Sequence, residues 1–297
     1  MSRLSLARVC AGLALVALAA CSNGSQTQGN NRAANTIPVV TTISTFNSLV
    51  SAVGGSHVSV QSLVPIGASP ETFQPTPQSV EMLSHAKLLV ENGVGLETWL
   101  DRTIQNAGSK SLRIVVASKG LTVKNDNPHL WMDPQNAKQY VRSIRDALMY
   151  LDPEHANQYR KNADRYSEKL DSLTASITRR IGSIPPDRRY MIVFHNAWQY
   201  YNDRFGITTL GFIERNPGQE PNPEQIGRLI DLAKQHHLNA IFSEPEYSPK
   251  LAQQISQDAN IKIVDNLYDD SVGTDPHVAD YISMLNYDTD VIVRALR

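Results

Sequence analysis

A long uninterrupted helical pattern in the middle of the chain constrains the fold more than any other feature. Over residues 153–181, apolar and aromatic side chains recur at alternating spacings of three and four, the period of an amphipathic helix. They are Ala156, Tyr159, Ala163, Tyr166, Leu170, Leu173 and Ile177. The pattern stops at Gly182, Pro185 and Pro186. Such a helix would be roughly 40 Å long, which exceeds the width of a small domain. We therefore expect residues 153–184 to link two lobes.

The segments on either side of this helix alternate between strand and helix patterns. A strand, a helix ended by glycine and a second strand open each half, at 37–65 and 190–213. The sequence therefore predicts two α/β lobes, residues 37–152 and 185–297, each with a mainly parallel sheet flanked by helices. The predicted strands are 37–43, 57–65, 86–92, 111–118, 188–195, 207–213, 238–244 and 260–267. The predicted helices besides the long one are 45–53, 95–108, 133–152, 196–206, 222–237, 248–259 and 276–296.

The first 36 residues have the pattern of a leader and a tether. Two arginines precede an apolar stretch of 12 residues, 9–20, which is too short to span a bilayer and is typical of a secretory signal. The stretch ends in "LAAC" and resembles a bacterial lipobox, which implies cleavage before Cys21 and lipidation of its thiol. The alternative is an ordinary signal peptide with an incidental cysteine. We assign residues 1–20 to a lipoprotein signal peptide and 21–36 to a flexible polar tether.

Composition excludes two classes of partner from the remaining chain. Removal of the signal peptide takes away two of the 28 basic residues and none of the 29 acidic ones, so no basic footprint for nucleic acid remains. No apolar run in 22–297 is long enough to cross a membrane. The two cysteines, Cys10 and Cys21, both lie in the leader region, so the folded part has no disulfide and depends on its core.

Ionisable side chains follow four of the predicted strands. Ligands in parallel α/β sheets sit beyond the carboxyl ends of the strands, and two imidazoles with two carboxylates are suitable ligands for a transition metal. The four candidates are Glu71, His129, His195 and Asp270. Each also has a structural alternative, in the same order: a surface turn, a loop hydrogen bond, a buried core histidine and a turn cap. The other histidines are predicted to lie at strand or helix ends or on exposed helix faces.

Glu71 lies in the most unusual of these loops. The stretch "GASPETFQPTP", residues 67–77, contains three prolines, and Glu71 is its only charged side chain. Proline fixes its own φ and restricts the residue before it, so the loop should be stiff. A stiff loop that presents one carboxylate is compatible with a binding site and with an ordinary surface turn.

The motifs in their order resemble one family, the metal-binding lipoproteins of bacterial ABC importers for zinc and manganese (the cluster 9 or A-I solute-binding proteins). The resemblance covers residues 37–297 and includes the long helix. It depends on "VPIGASPETFQPTP", "NPHLWMDPQNA", "YRKNADRY", "VFHNAWQYYNDRFG", "FSEPEYS" and "YDDSVG". It implies two lobes joined by one rigid helix, with a metal held between them by Glu71, His129, His195 and Asp270.

The first of these positions departs from the family pattern. That loop usually reads like G-x-D-P-H-x-Y-E-P-T-P, whereas here Ser69 replaces the Asp and Glu71 replaces the His ligand. A carboxylate binds the same ions, so we expect the site to be retained with an altered metal preference; the alternative is a lost site.

The resemblance implies a binding protein, not an enzyme. We expect an exported monomer, lipid-anchored on the periplasmic or cell-surface side of a membrane, that captures a divalent metal and delivers it to an ABC permease. The alternatives are a metal-dependent hydrolase and an adhesin or scaffold with a degenerate site. Catalytic zinc typically has three protein ligands and an open position, so four ligands favour capture.

The sequence signals for the metal conflict. In the family, histidine at the position of His195 accompanies zinc, whereas a second carboxylate at Glu71 brings the composition nearer the manganese type. No histidine-rich loop lies between Glu71 and His129. The general affinity order, which places zinc above manganese, favours zinc as the transported ion.

Overall fold

The computed structural model describes residues 36–297, and regular structure begins at Ile37. The first half contains β1 (Ile37–Thr41), α1 (Ser44–Gly54), β2 (Val58–Ser62), α2 (Pro77–His85), β3 (Leu88–Glu91), α3 (Leu100–Ala107), β4 (Arg113–Val116) and α4 (Pro134–Leu151). The long helix α5 (Ala156–Gly182) follows. The second half contains β5 (Tyr190–Val193), α6 (Gln199–Phe205), β6 (Thr208–Phe212), α7 (Pro223–Gln235), β7 (Ala240–Phe242), α8 (Lys250–Ala259), β8 (Lys262–Val264) and α9 (Tyr281–Leu296).

Both halves are built on parallel strands, as the alternating pattern predicts. The first half has a four-stranded sheet in the order β2-β1-β3-β4, with every neighbouring pair parallel. In the second half β5 pairs with β6 and β7 with β8, both parallel, and β5 lies beside β7. Because the strands of each sheet run in one direction, the loops after their carboxyl ends emerge at a common edge.

The helix α5 packs against both halves. It contacts α1 and α4 of the first half and α6 and α9 of the second. Six of the seven residues of the predicted stripe are buried, from Tyr159 to Ile177, and only Ala156 is partly exposed. One hydrophobic cluster consequently runs from Phe46 in α1 through Leu170 in α5 to Tyr281 in α9. The two-lobed α/β fold with one long joining helix is therefore confirmed.

The ends of several elements differ from the sequence prediction. The helix α2 was not predicted, although Thr76 caps it and Pro77 occupies its first turn. The last helix begins at Tyr281, capped by Asp280, and not at residue 276. The pair Asp275–Pro276 imitates the Asp–Pro start of α4, but the Asp275 carboxylate accepts a hydrogen bond from the N–H of His277 in an isolated turn.

No helix in the described part of the chain combines the length and apolar character that a bilayer span requires.

Candidate metal centre

The four predicted side chains meet at the edge where the strand-end loops emerge. Glu71 follows β2, His129 follows β4, His195 follows β5 and Asp270 follows β8. The Nε2 atom of His129 lies 3.3 Å from His195 Nε2, 3.4 Å from Asp270 Oδ1 and 3.7 Å from Glu71 Oε1. His195 Nε2 lies 3.9 Å from Asp270 Oδ2. Each half of the molecule therefore supplies one imidazole and one carboxylate to a single cluster.

The hydrogen bonds of His129 determine which of its nitrogens faces the cluster. Asn127 Oδ1 accepts a hydrogen bond from the backbone N–H of His129 at 2.9 Å, while Asn127 Nδ2 donates to the Asn196 carbonyl at 2.6 Å. The same Oδ1 lies 3.0 Å from His129 Nδ1. An amide oxygen only accepts, so Nδ1 carries the proton. Nε2 therefore faces the other three side chains, where a neutral ring offers its lone pair to a cation.

His195 is oriented in the same way by a charged partner. Its Nδ1 lies 2.9 Å from Glu244 Oε2, and Trp198 Nε1 donates to the other oxygen of Glu244 at 3.3 Å. Burial lowers the pKa of His195, but the nearby carboxylates, led by Glu244 and Asp269, raise it well above its usual value. Nε2 again faces the cluster, and a cation that binds there must displace the proton that this raised pKa retains.

Asp270 shows most directly that this cluster fits a cation. Its side chain is fully buried, and neither of its carboxylate oxygens has a hydrogen-bond partner among the described residues. Its backbone is fixed, because the Thr45 hydroxyl donates to the Asp270 carbonyl at 3.2 Å and Trp131 Nε1 donates to the Asp269 carbonyl at 2.9 Å. A buried, unpartnered carboxylate is costly unless a positive charge compensates it. The set of donors therefore fits a divalent metal.

Glu71 lies at the more accessible side of the cluster, with 23% of its side chain exposed. Burial raises the pKa of Glu71 most strongly; the nearby His129 lowers it, and the nearby Asp270 raises it. Its loop is held at two points: Trp99 Nε1 donates to the Pro70 carbonyl at 2.8 Å, and the Gly67 N–H donates to Ser271 Oγ at 3.2 Å. The loop thus presents Glu71 to the cluster instead of forming a free surface turn.

Sequence reasoning missed further acidic residues around His195. Glu244, Asp269 and His195 place one ligand atom each within 4.8 Å of one another. Glu246 is also nearby, and burial, followed by repulsion from Asp270, raises its pKa to about 8. Glu244 and Glu246 directly follow β7 in "FSEPEYS", so the rule that selected the other candidates could have found them. The excess of carboxylates attracts cations to this part of the molecule.

Comparison with known sequences identifies a family that extends over most of the chain. Residues 39–295 match the family described as zinc-uptake complex component A periplasmic. The manganese-binding lipoprotein MntA of Halalkalibacterium halodurans is 30% identical over 95% of this chain and 96% of its own. The iron-binding protein YfeA of Yersinia pestis is 31% identical over 86% of this chain and 85% of its own.

A solved structure agrees with these sequence matches. The manganese-bound periplasmic metal-binding protein of Candidatus Liberibacter asiaticus superposes with a TM-score of 0.78 at 28% identity, over 88% of this chain and all of that one. The similar proteins thus share both the fold and a role in metal binding, while their names include manganese and iron and the family description includes zinc.

Proposed function

This chain belongs to the family of periplasmic zinc-uptake component A proteins, and on that premise we propose that it transports zinc through the four converging side chains. It is an exported substrate-binding protein of an ABC importer for a divalent metal, and it is not an enzyme. The ion is its cargo and passes to the permease of that importer. The proposed ligands are Glu71, His129, His195 and Asp270.

The observation that carries this proposal is the spacing of ligand atoms around buried Asp270. In tetrahedral zinc sites the metal lies about 2.0–2.1 Å from each ligand, which places neighbouring ligand atoms about 3.3 Å apart. The two Nε2 atoms are 3.3 Å apart, and His129 Nε2 is 3.4 Å from Asp270 Oδ1. Small movements of the Glu71 and Asp270 carboxylates would complete the tetrahedron. These distances support four protein ligands around one small cation.

Manganese is the second candidate, because the cluster is rich in carboxylate oxygens. Manganese prefers oxygen ligands more than zinc does, and Glu244, Asp269 and Glu246 add negative charge close to the two proposed carboxylate ligands. Two imidazoles whose Nε2 atoms are already directed at the centre favour zinc over manganese. Zinc therefore remains the proposed cargo.

Calorimetric titration of the metal-free full-length protein with Zn²⁺ and with Mn²⁺, each in competition with a chelator, tests the proposal. We expect one high-affinity zinc site and manganese binding that is at least about tenfold weaker, following the general affinity order of these ions. Elemental analysis of natively purified protein should find zinc. Tighter binding of manganese than of zinc would overturn the metal assignment but not the site. If the variant with both His129→Ala and His195→Ala binds both metals as tightly as the wild type, the proposed site is wrong.

The attachment to the membrane depends on Cys21, which lies outside the described residues. We propose that its thiol is acylated and that the polar tether of residues 21–36, of which 21–35 also lie outside the described residues, connects the anchor to a monomeric body. That body consists of lobes 37–152 and 185–297 joined by the helical segment 153–184. Replacement Cys21→Ser should release the protein from the membrane fraction in a cell fractionation, and unchanged attachment would contradict the proposal.

A further inference from the structure

A second cluster of metal-ligating side chains lies outside the site described above. His57, Asp152 and His155 place one ligand atom each within 4.8 Å of one another, and all three are partly exposed. They come from two chain segments that are almost 100 residues apart. None of the three contributes to the cluster around Asp270.

Three chain turns build this second cluster. Gly55, with a φ of 58°, ends α1 and starts the short turn that carries His57 into β2. Asp152 follows the last residue of α4, and His155 lies in the single 3₁₀ turn before α5. The rings of His57 and His155 stack with centroids 3.8 Å apart. The cluster therefore joins the end of α1 to the junction between α4 and α5.

Asp152 supplies a fixed negative charge to the two imidazoles. Its Oδ2 lies 2.7 Å from His155 Nδ1 and accepts a hydrogen bond from the Tyr159 hydroxyl at 2.5 Å. Tyr159 therefore holds the Asp152 carboxylate in place beside the two rings, where it can share a cation with them.

We propose that His57, Asp152 and His155 form a second, weaker site for a divalent transition metal such as Zn²⁺. Two imidazoles and a carboxylate are ligands that zinc prefers, and three protein ligands leave a fourth position for water. The metal would replace the proton between His155 Nδ1 and Asp152, and these atoms would separate from 2.7 Å to about 3.3 Å. The exposed side chain of His155, 42% accessible, gives the ion a path from solvent.

Two features make this site weaker than the proposed cargo site. The stacked rings must tilt before both lone pairs point at one ion. His57 also lines an open cavity of about 560 Å³ with Arg165 and Lys169, whose positive charges repel a cation. A partly exposed site with three protein ligands is consequently expected to bind more weakly than a buried one with four.

The two sites are far apart and should bind independently. The helix α4 begins just after His129 and has 18 residues before Asp152, which corresponds to a length of about 27 Å. His57 also precedes the amino end of β2, whereas Glu71 follows its carboxyl end. Independent sites at this separation have additive binding energies, so each can be removed without altering the other.

Zinc titration of the full-length protein carrying His129→Ala and His195→Ala tests the second site in isolation. We expect one remaining zinc-binding event in this background and its loss when His57→Ala and His155→Ala are added. In the otherwise unchanged protein, the pair His57→Ala and His155→Ala should reduce the stoichiometry from two zinc ions to one and leave the tighter event unaltered. Replacement of Zn²⁺ by Cu²⁺ provides a spectroscopic signature, because nitrogen hyperfine splitting would report two imidazoles.

Matched controls exclude other surface histidines and misfolding. His85→Ala and His277→Ala each remove a histidine from outside the cluster, and they should leave both events intact. His57→Gln and His155→Gln keep polar side chains of similar length if the alanine variant unfolds, as judged by circular dichroism. The proposal is wrong if no second zinc-binding event is found. It is also wrong if that event persists in folded alanine and glutamine double variants of His57 and His155, or if it is lost when His85 or His277 is replaced.

Discussion

The two halves of the molecule contribute the same pair of groups to the candidate centre but support them differently. In the first half, His129 is held by the neutral amide of Asn127, and Glu71 is 23% exposed. In the second half, His195 is held by the Glu244 carboxylate, and the Asp270 side chain is fully buried without a hydrogen-bond partner among the described residues. The second half thus carries a buried negative charge that the first half does not.

This difference assigns separate roles to the two halves in attracting the metal ion and in adjusting its coordination. The buried carboxylates of the second half are costly in the metal-free protein and are compensated when a cation binds. The partly exposed carboxylate of the first half is less costly and can move on its loop. We infer that the second half provides most of the electrostatic attraction, while the first half completes the coordination geometry and adjusts metal preference.

The largest expected effect comes from Asp270→Asn, which removes the unpartnered charge. Metal affinity should fall by roughly 100-fold or more, beyond the 10–100-fold typical for residues that only support a ligand. The metal-free protein should unfold at a higher temperature than the wild type, because a buried carboxylate without a hydrogen-bond partner is gone. Calorimetric titration and thermal unfolding measure the two effects.

Asp265→Asn, at an exposed position of the same loop, is the matched control and should change neither quantity. Reduced stability of metal-free Asp270→Asn would mean that Asp270 serves the fold and not the ion.

Replacement of Glu71 should have a smaller effect on affinity and a larger one on selectivity. Glu71→Ala and Glu71→Gln should weaken binding severely, though less than Asp270→Asn because Glu71 is partly exposed, and the glutamine variant separates charge from size. The loop should stay folded because Trp99 and Ser271 hold its backbone. Glu71→His should shift the metal preference further toward zinc, because imidazole is a better ligand for zinc than for manganese. Titration of all three variants with Zn²⁺ and Mn²⁺ measures the shifts, and binding of both metals by Glu71→Ala at wild-type strength would show that Glu71 is not a ligand.

Replacement of Glu244 or Asn127, which hold the two histidines, should change metal affinity still less. Glu244→Gln gives His195 a neutral partner like that of His129, and affinity should fall about tenfold. The Glu244 carboxylate raises the pKa of His195, so the variant should release fewer protons on metal binding at neutral pH than the wild type. Asn127→Asp is the reciprocal change and should increase proton release. Titration in buffers of different ionisation enthalpy measures the released protons, and equal release by all three proteins would refute this comparison of the two histidines.

The sequence predicted the fold and the four candidate residues because both depend on local patterns. The periodicity of α5 and the alternation of strands and helices are local, and the carboxyl ends of parallel strands gather loops without knowledge of any distance. Glu71, His129, His195 and Asp270 could therefore be selected together before any contact was known, and the family resemblance pointed to the same positions.

Other features depend on tertiary contacts that no local pattern encodes. Glu244 precedes Pro245 and resembles a surface turn, yet it is 2% exposed because β7 lies beside β5 and His195. The second cluster was missed because His57 matches an ordinary strand start and His155 an exposed helix face. Only the packing of α1 against α4 and α5 brings them within stacking distance.

The smallest expected change is in the overall dimensions of the molecule when metal binds, although the proposed ligands come from both halves. The helix α5 has 27 residues without an internal proline or glycine, and the largest hydrophobic cluster continues through it from one half to the other. Ion pairs beside the site add further links: Arg204 contacts Asp133 at 2.6 Å, and Lys124 contacts Asp203 at 2.7 Å.

A hinge would have to break this packing, so metal binding should order the Glu71 loop locally and leave the lobes in place. Small-angle scattering of metal-free and zinc-loaded protein should give the same radius of gyration, whereas hydrogen exchange should slow in residues 66–73. A clear decrease in the radius of gyration on metal binding would show that the two halves close around the ion, and the contrast between a fixed second half and an adjustable loop in the first would then be wrong.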